Sequence, residues 1–535
     1  MVGVVTTDLV FFTGATDPFK PSDCDQITDW LTAPSLDTEN FVQGTGACAA
    51  KVSKSVFTSV FTLQNAVDLT GKQIFVWAMC SGRLDTKAGG GLRIRVENAA
   101  AQFGEWTVAG RDTWGGGWMP FTVHTSTAFD AGATIPDVTA VTKVGIVFDV
   151  VGSATANNVW WDAMRYGTGL SIKGGTDVSS ATFQDFLDAE AVVLTGKYGV
   201  IFLYEGLLIV QGKLNFGSTT LNDATYFKDT TGRVLIFADK PVPADYYEIK
   251  LQGNANTAVT KIYFGEKVGG SGVSGITVRA SSSAKPFKVT ASDTNITEYG
   301  FYGCVFYQAA AITLQTYSTV KEFLDCAVTK SAEMLPSTGI VKNCTFSISP
   351  GRALRMASAT DHHITDSKFI NCQTALHINF SDTVAINNLN FYGNNPYDIE
   401  HSVTGALTIN YTNCPSPPLE SKVNETGAPP GSTTILASVT LTVRHVKTGT
   451  EPAEYVRCSI HKKSDMSEIM NQNATVADEQ TTGYYKATMS YTATGIVVKV
   501  RAREKGYLPF ETEATITSGG LDVTAVWIPD PAYQP

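Results

Sequence analysis

The densest set of groups able to do chemistry lies in "RALRMASATDHHITD", which holds Arg352, Arg355, Asp361, His362, His363 and Asp366. A lyase acting on a polysaccharide needs an arginine or lysine base beside acidic metal ligands. Glycoside hydrolysis needs two carboxylates about 5 to 9.5 Å apart. Arg355, Asp361 and Asp366 are therefore the catalytic candidates of an enzymatic reading. Against it, Asp361-His362-His363 reads as a loop, and Asp366 falls with Asp325, Asn343 and Asn388 in a ladder of turn residues. No Ser-His-Asp arrangement, phosphate-binding glycine loop, dinucleotide fingerprint or HExxH motif is evident. Glycan binding has different candidates. Trp106, Trp114 and Trp118 sit in the glycine-rich "FGEWTVAGRDTWGGGW", where an exposed ring could stack on a sugar. The alternative is that these rings fill a core or an interface.

The elements that must position these groups repeat. Gly303-Cys304-Val305-Phe306, Asp325-Cys326-Ala327-Val328, Asn343-Cys344-Thr345-Phe346, Asp366-Ser367-Lys368-Phe369 and Asn388-Leu389-Asn390-Phe391 step by 22, 18, 23 and 22 residues. Each has a turn residue, a small or apolar residue, a free position and a large apolar residue. Gly, Asp and Asn accept the left-handed conformation that bends one strand into the next. Alternation along a strand turns the second and fourth residues inward. A period of this order signifies stacked units, here coils of a right-handed parallel β-helix. Cys304, Cys326 and Cys344 are expected in one interior file and Phe306, Val328, Phe346, Phe369 and Phe391 in another. A second face is expected in "AAITLQTYS", "RALRMASAT", "TALHINFSD" and "GALTINYTN".

Composition agrees with an all-β chain. Of 535 residues only 17% are charged, glycine numbers 47, and the net charge is −10. No Lys/Arg run marks a nucleic-acid surface, and no segment approaches the ~20 apolar residues of a membrane helix. The opening "MVGVVTTDLVFFTG" lacks a basic region before an apolar core and is not read as a secretory signal. Nine cysteines without a CxxC pair read as reduced core residues made in a reducing cytoplasm.

Residues 1–168 hold seven of the eight tryptophans and evenly spaced strand-like runs, which argues an N-terminal β-sandwich. "AVDLTGKQIFVWAM", "GLRIRVEN", "GGGWMPFTVHT", "VTKVGIVFDV" and "VWWDAMRYG" resemble, in order, the galactose-binding-like jelly roll of carbohydrate-binding modules. The resemblance implies a structural calcium with Asp162 as a ligand; otherwise no cofactor is expected. Residues 169–195 read as a connector with a capping helix over Ser179–Ala191, 196–414 as the β-helix, and 415–432 as a proline-rich linker. Residues 433–535 read as a C-terminal Ig-like sandwich. Gly483-Tyr484-Tyr485 and Gly506-Tyr507-Leu508-Pro509 resemble transthyretin-like and carboxypeptidase-regulatory-like modules.

Sandwich, β-helix and sandwich in series resemble the appendages of tailed phages: tailspikes, tail fibres and head spikes or fibres. That resemblance implies a structural virion protein made in the host cytoplasm. Its partners would be itself, as a homotrimer, other capsid or tail proteins, and a host surface polysaccharide, with no nucleic acid and no membrane insertion. Two alternatives remain open. One is a tailspike depolymerase, although the Asn-x-Asp, Asp-Asp, Gly-His-Gly and Arg-x-Lys set of polygalacturonases is absent. The other is a bacterial surface adhesin or lyase.

Overall fold

The computed structural model describes the chain except residues 1–3, 8, 17–21, 33, 53–54, 82–90, 110–116, 133–136, 150–156, 174–178, 182–200, 205–206, 211–212, 218–223, 229–231, 233, 238–246, 254–259, 285, 292–294, 315–319, 337–338, 360–362, 438, 448–455, 474–478, 482–483, 488–493, 518 and 534–535. It divides into two compact units, Met1–Ala332 and Glu333–Pro535. Among the described residues the regular structure is β-strand, with only two single-turn 3-10 helices. The all-β reading holds. No helix among those residues is long and apolar enough to cross a membrane.

The first unit begins with two antiparallel sheets. One runs Val56–Val67, Val141–Asp149, Gly91–Asn98, Phe103–Ala109; the other runs Ser35–Asp37, Ala47–Val52, Asn157–Gly167, Gln73–Cys80, Met119–His124. Strand Gly91–Asn98 shows why they face each other. Leu92, Ile94 and Val96 are fully buried in the shared core, while Arg93 and Arg95 point the other way. Trp161 lies at the centre of that core, edge-on to Trp30 at 5.6 Å. The outward arginines are neutralised on their own sheet. Glu105 accepts from Arg93 at 2.9 Å and from Arg95 at 2.8 Å.

Parallel sheets follow in the same unit. Gly169–Lys173, Lys213–Phe216, Glu248–Leu251, Phe287–Ala291 and Ala309–Leu314 form one; Ser179–Ala181, Ala224–Phe227, Thr260–Phe264, Ile296–Tyr302 and Val320–Leu324 form a second; Leu207–Val210, Val234–Phe237, Thr277–Ala280, Val305–Tyr307 and Ala327–Thr329 form a third. The chain visits the three in turn, so each circuit is one coil. Ser179–Ala181 is a strand paired with Thr225–Phe227. The helix expected from that serine is therefore absent there, because three backbone pairs hold the segment extended. The remainder of the expected helix lies outside the described residues.

The second unit carries the same circuit. Met334–Leu335, Arg352–Met356, Thr374–Ile378, Tyr397–His401 and Val423–Glu425 form one parallel sheet; Ile340–Lys342, His363–Thr365, Thr383–Asn387, Ala406–Thr412 and Ser432–Ala437 form another; Thr345–Ser347, Lys368–Ile370 and Asn390–Tyr392 form the third. Phe346, Phe369 and Phe391 stack at 5.3 and 5.2 Å. Two expectations change. "GALTINYTN" pairs with Thr383–Asn387 rather than with the Arg352 and Thr374 strands. The proline-rich run does more than link, since Val423–Glu425 pairs with Ile399–His401.

Each expected turn residue is left-handed: Gly303, Asp325, Asn343, Asp366 and Asn388 have φ between 51° and 63°. A second left-handed corner follows five residues later, at Gln308, Lys330, Ile348, Asn371 and Gly393. The residue after the first corner ties it down. Cys326 Sγ donates to Leu324 O at 3.4 Å, Cys344 Sγ to Lys342 O at 3.4 Å, Ser367 Oγ to Thr365 O at 2.8 Å and Cys414 Sγ to Thr412 O at 3.2 Å. All nine cysteines are buried as free thiols.

Two further four-stranded sheets close the second unit. In one, Leu441–Lys447 lies between Tyr484–Ala487 and Leu521–Trp527; in the other, Glu468–Asn473, Arg457–Lys462, Val497–Arg503 and Phe510–Thr515 follow in order. His445 is fully buried here, 5.7 Å from the Trp527 ring. Neither ring nitrogen has a partner among the described residues.

Two measurements test these packing arguments. Ile348 is a β-branched residue at φ 53° and is 48% exposed. A left-handed L-residue costs roughly 1–2 kcal/mol, so Ile348→Asn should stabilise the chain by about 1 kcal/mol in denaturant unfolding. Burial pushes His445 down to about 4. The unfolded imidazole titrates near its ordinary value of about 6.5, so only the unfolded chain gains a proton below it. The contribution of His445 to stability should be constant above about pH 6.5 and fall by on the order of 2 kcal/mol toward pH 4. His445→Phe should flatten that slope in thermal melts.

Candidate functional site

The outward row of one sheet in the second unit gathers charged side chains. Leu354, Leu376 and Ile399 point inward in register, so Arg355, His377 and Glu400, each one residue on, point outward in register. Glu333 joins them from just before the first strand of the sheet. Its carboxylate accepts from Arg355 Nη2 at 2.7 Å and Nε at 3.2 Å, and lies 2.6 Å from His377 Nδ1. On its other side His377 Nε2 is 2.8 Å from Ser402 Oγ. Glu400 accepts from Arg352 through both of its oxygens, and from Thr426 Oγ1 at 3.1 Å.

The electrostatics follow from this pairing. Burial alone would raise Glu333, but hydrogen bonds from His377 and Arg355 outweigh it and hold the carboxyl below its ordinary range. Glu400 is held low in the same way, with Arg352 and Thr426 overcoming burial. Both are carboxylates at neutral pH. Neither is a general acid of the kind glycoside hydrolysis needs, which depends on a raised pKa.

Of the sequence candidates, Arg355 belongs to this row. Asp366 does not. It sits at a left-handed corner, where its Oδ1 accepts from Asn388 Nδ2 at 2.9 Å in the next coil. It is the turn-ladder member that the alternative reading gives it to be. Asp361 lies outside the described residues. Glu333, His377, Glu400 and Ser402 escaped sequence reasoning because they come from successive coils. His377 is 44 residues from Glu333 and 25 from Ser402, so no short motif contains them. The inward Leu354 and Leu376 were the available signal, since they fix their neighbours as outward.

In the first unit, Trp106 is fully buried, with its ring 4.4 Å from Phe129 and its Nε1 donating to Thr127 O at 2.8 Å. It is a core residue and cannot offer a face to a sugar, because its strand Phe103–Ala109 turns it inward. Trp118 is half-buried. Trp114 lies outside the described residues. Beside Phe129 is a shallow cavity of ≈ 180 Å³ lined by Phe103, Gly104, Asp130, Ala131 and Gly132. This is below the roughly 300 Å³ of an ordinary ligand pocket.

Asp162 is fully buried at an irregularity where its strand loses register with Gln73–Cys80 and Ala163 turns left-handed. Its Oδ2 accepts from the amides of Val42 at 2.7 Å and Gln43 at 3.1 Å. Its Oδ1 has no partner among the described residues. Burial pushes the carboxyl up to about 7, against the pull of those amides. Among the described residues no three His, Cys, Asp or Glu side chains cluster to hold a metal.

No known family profile matches the chain, and no curated protein matches it. Among solved structures, it is similar to an exo-β-agarase at 10% identity and a TM-score of 0.22, over 30% of this chain and 24% of that one. It thus spans about a quarter of the agarase. A family 11 carbohydrate-binding module from Clostridium thermocellum matches at 7% identity and TM-score 0.21, over 31% of this chain and 96% of the module. The catalytic unit of a GH87 α-1,3-glucanase from Streptomyces thermodiastaticus matches at 11% identity and TM-score 0.19, over 81% and 94%. Likenesses this distant carry no functional argument.

Asp162 yields a pH prediction opposite in sign to that of His445. Its proton is bound more tightly in the folded chain, so its contribution is full below about pH 4 and is lost as pH rises through about 7. Asp162→Asn keeps the oxygen that the two amides use. It should leave the variant less sensitive than the parent between pH 5 and 8, by on the order of 2–4 kcal/mol. Tryptophan fluorescence during denaturant unfolding will read this, because seven of the eight tryptophans lie in residues 1–168.

Proposed function

We propose that this chain is a structural and adhesive protein that engages a glycan, rather than a glycoside hydrolase. The reading combines a jelly-roll sandwich, a right-handed parallel β-helix and an Ig-like sandwich. One observation carries it: Glu333 and Glu400, the carboxylates on the outward row, are each ion-paired to an arginine and held below their ordinary range. Such a row offers fixed donors and acceptors to sugar hydroxyls, and neither of its two glutamates is held protonated. The finer reading is an appendage of a tailed-phage virion, on capsid or tail, working as a homotrimer. Its support is the stacking of parallel coils, which presents a long face that cyclic symmetry can bury, and the low share of charged residues.

Light scattering on the full-length chain tests the assembly. A particle near three times 57.3 kDa is expected, and a monomer at all concentrations would sink the trimer. A glycan array with depolymerisation assayed in parallel tests the function. Binding without shortening of the polymer is expected, and release of oligosaccharides would transfer the reading to a depolymerase.

A further inference from the structure

We propose that Ser402, His377 and Glu333 form a serine-nucleophile triad that hydrolyses short acyl esters on a glycan. The glycan half of this inference rests on the function proposed above; the triad does not.

The argument begins with proton positions. Glu333 is paired with Arg355 and held in its ionised form, so it has no proton to give. At 2.6 Å from that carboxylate, His377 Nδ1 must carry the hydrogen. The neutral ring then has its lone pair on Nε2, and Ser402 Oγ, 2.8 Å away, donates to it. This is the relation of nucleophile, base and orienting acid required for acyl transfer. Burial fits the roles. His377 is 2% exposed, so its ring is held in one orientation, whereas Ser402 is only half-buried and can be reached.

The coils supply the geometry. Thr374–Ile378 and Tyr397–His401 are adjacent and in register, and Ser402 follows the second strand directly, with its amide tied to Ile378 O at 3.1 Å. The next amide is that of Val403. It lies one residue beyond the nucleophile, where an oxyanion donor is commonly found. A second serine–histidine pair gives an internal contrast. Ser381 Oγ is 3.3 Å from His401 Nε2, but His401 Nδ1 faces Thr433 Oγ1 at 3.3 Å rather than a carboxylate. Of these two histidines, His377 is the one with a carboxylate on Nδ1.

The chemistry needs only water. Ser402 Oγ bonds to the ester carbonyl carbon while its proton passes to His377 Nε2. The carbon–oxygen bond to the alcohol then breaks, and the alcohol leaves with that proton. Water attacks the acyl-serine, gives a proton to Nε2, and the acid departs as Ser402 regains its hydrogen. Ester and water become acid and alcohol, with no redox change. Thr374 and Thr426 hydrogen-bond Glu400, which neighbours His377 in register, so the sheet face beside the histidine is polar. A short acyl group such as acetyl, carried on a sugar hydroxyl, suits that face.

The test uses the full chain with a fluorophosphonate probe, p-nitrophenyl acetate and O-acetylated polysaccharides. Peptide mapping should place the probe on Ser402. Ser402→Ala and His377→Gln should each lower p-nitrophenyl acetate turnover by about 10²-fold or more, Glu333→Gln should lower it with normal folding by circular dichroism, and Ser381→Ala should leave it unchanged. Probe labelling and turnover no greater than in heat-denatured protein, or undiminished in Ser402→Ala, would overturn the triad. Turnover of p-nitrophenyl acetate without acetate release from any polysaccharide would retain the triad and overturn the glycan ester. Acetate release with failed glycan-array binding would retain both and overturn the adhesive reading instead.

Discussion

The left-handed corner is the constraint on which the coils depend. Each short strand of three residues is bounded by two residues with φ near 50–60° or slightly above, five positions apart. An L-residue enters that region at a cost unless its side chain is absent or bonds locally. The chain meets the requirement with Gly, Asp or Asn at every first corner from Gly303 to Asn413. It then places a thiol or hydroxyl next in line at Cys304, Cys326, Cys344, Ser367 and Cys414, where the group donates to the carbonyl two residues back. The thiol or hydroxyl thereby adds a second bond to a carbonyl that, at Leu324, Thr365 and Thr412, already accepts the amide of the corner residue one coil earlier, and the side chain is small enough for the interior. This accounts for cysteines that are plentiful yet neither paired in disulfides nor arranged for metal binding.

That constraint was legible because it is local. Turn residue, small residue and large apolar residue recur within four positions, and the phenylalanine stack followed from simple alternation. The second corner was not legible. Gln308, Lys330 and Ile348 are ordinary residue types, and only Asn371 and Gly393 carry a signature. The run at Ala406–Thr412 was assigned to the wrong sheet for a related reason. Alternating apolar residues identify a buried face but not which of three faces it is. The proline-rich stretch misled because composition records turns and cannot exclude short strands between them.

The candidate site divides along the same line. Trp106 looked like a ligand platform because of its glycine-rich surroundings, but the alternation of its own strand puts it in the core. Asp366 looked catalytic because it is acidic and beside histidines, but the corner conformation explains it. The outward row was hidden for the opposite reason. Its members are separated by whole coils, and a parallel stack converts such separations into neighbours about 4.8 Å apart. In a fold of this kind, chemistry is assembled perpendicular to the sequence, and motif spacing along the chain is uninformative about it.

The row also shows how one set of side chains can satisfy both stability and a site. An exposed ion pair contributes little, and a buried one costs desolvation that must be offset by further bonds. Glu333 meets that cost by binding Arg355 and His377 together. The same two bonds that settle its charge also fix the tautomer of His377 and direct its lone pair at Ser402. Were Arg355 the only partner, Glu333 would be a structural carboxylate and the imidazole would be free to turn. Were His377 the only partner, the carboxylate would be an uncompensated charge in a half-buried position. The shared arrangement makes the histidine's orientation a consequence of the charge balance of the sheet face.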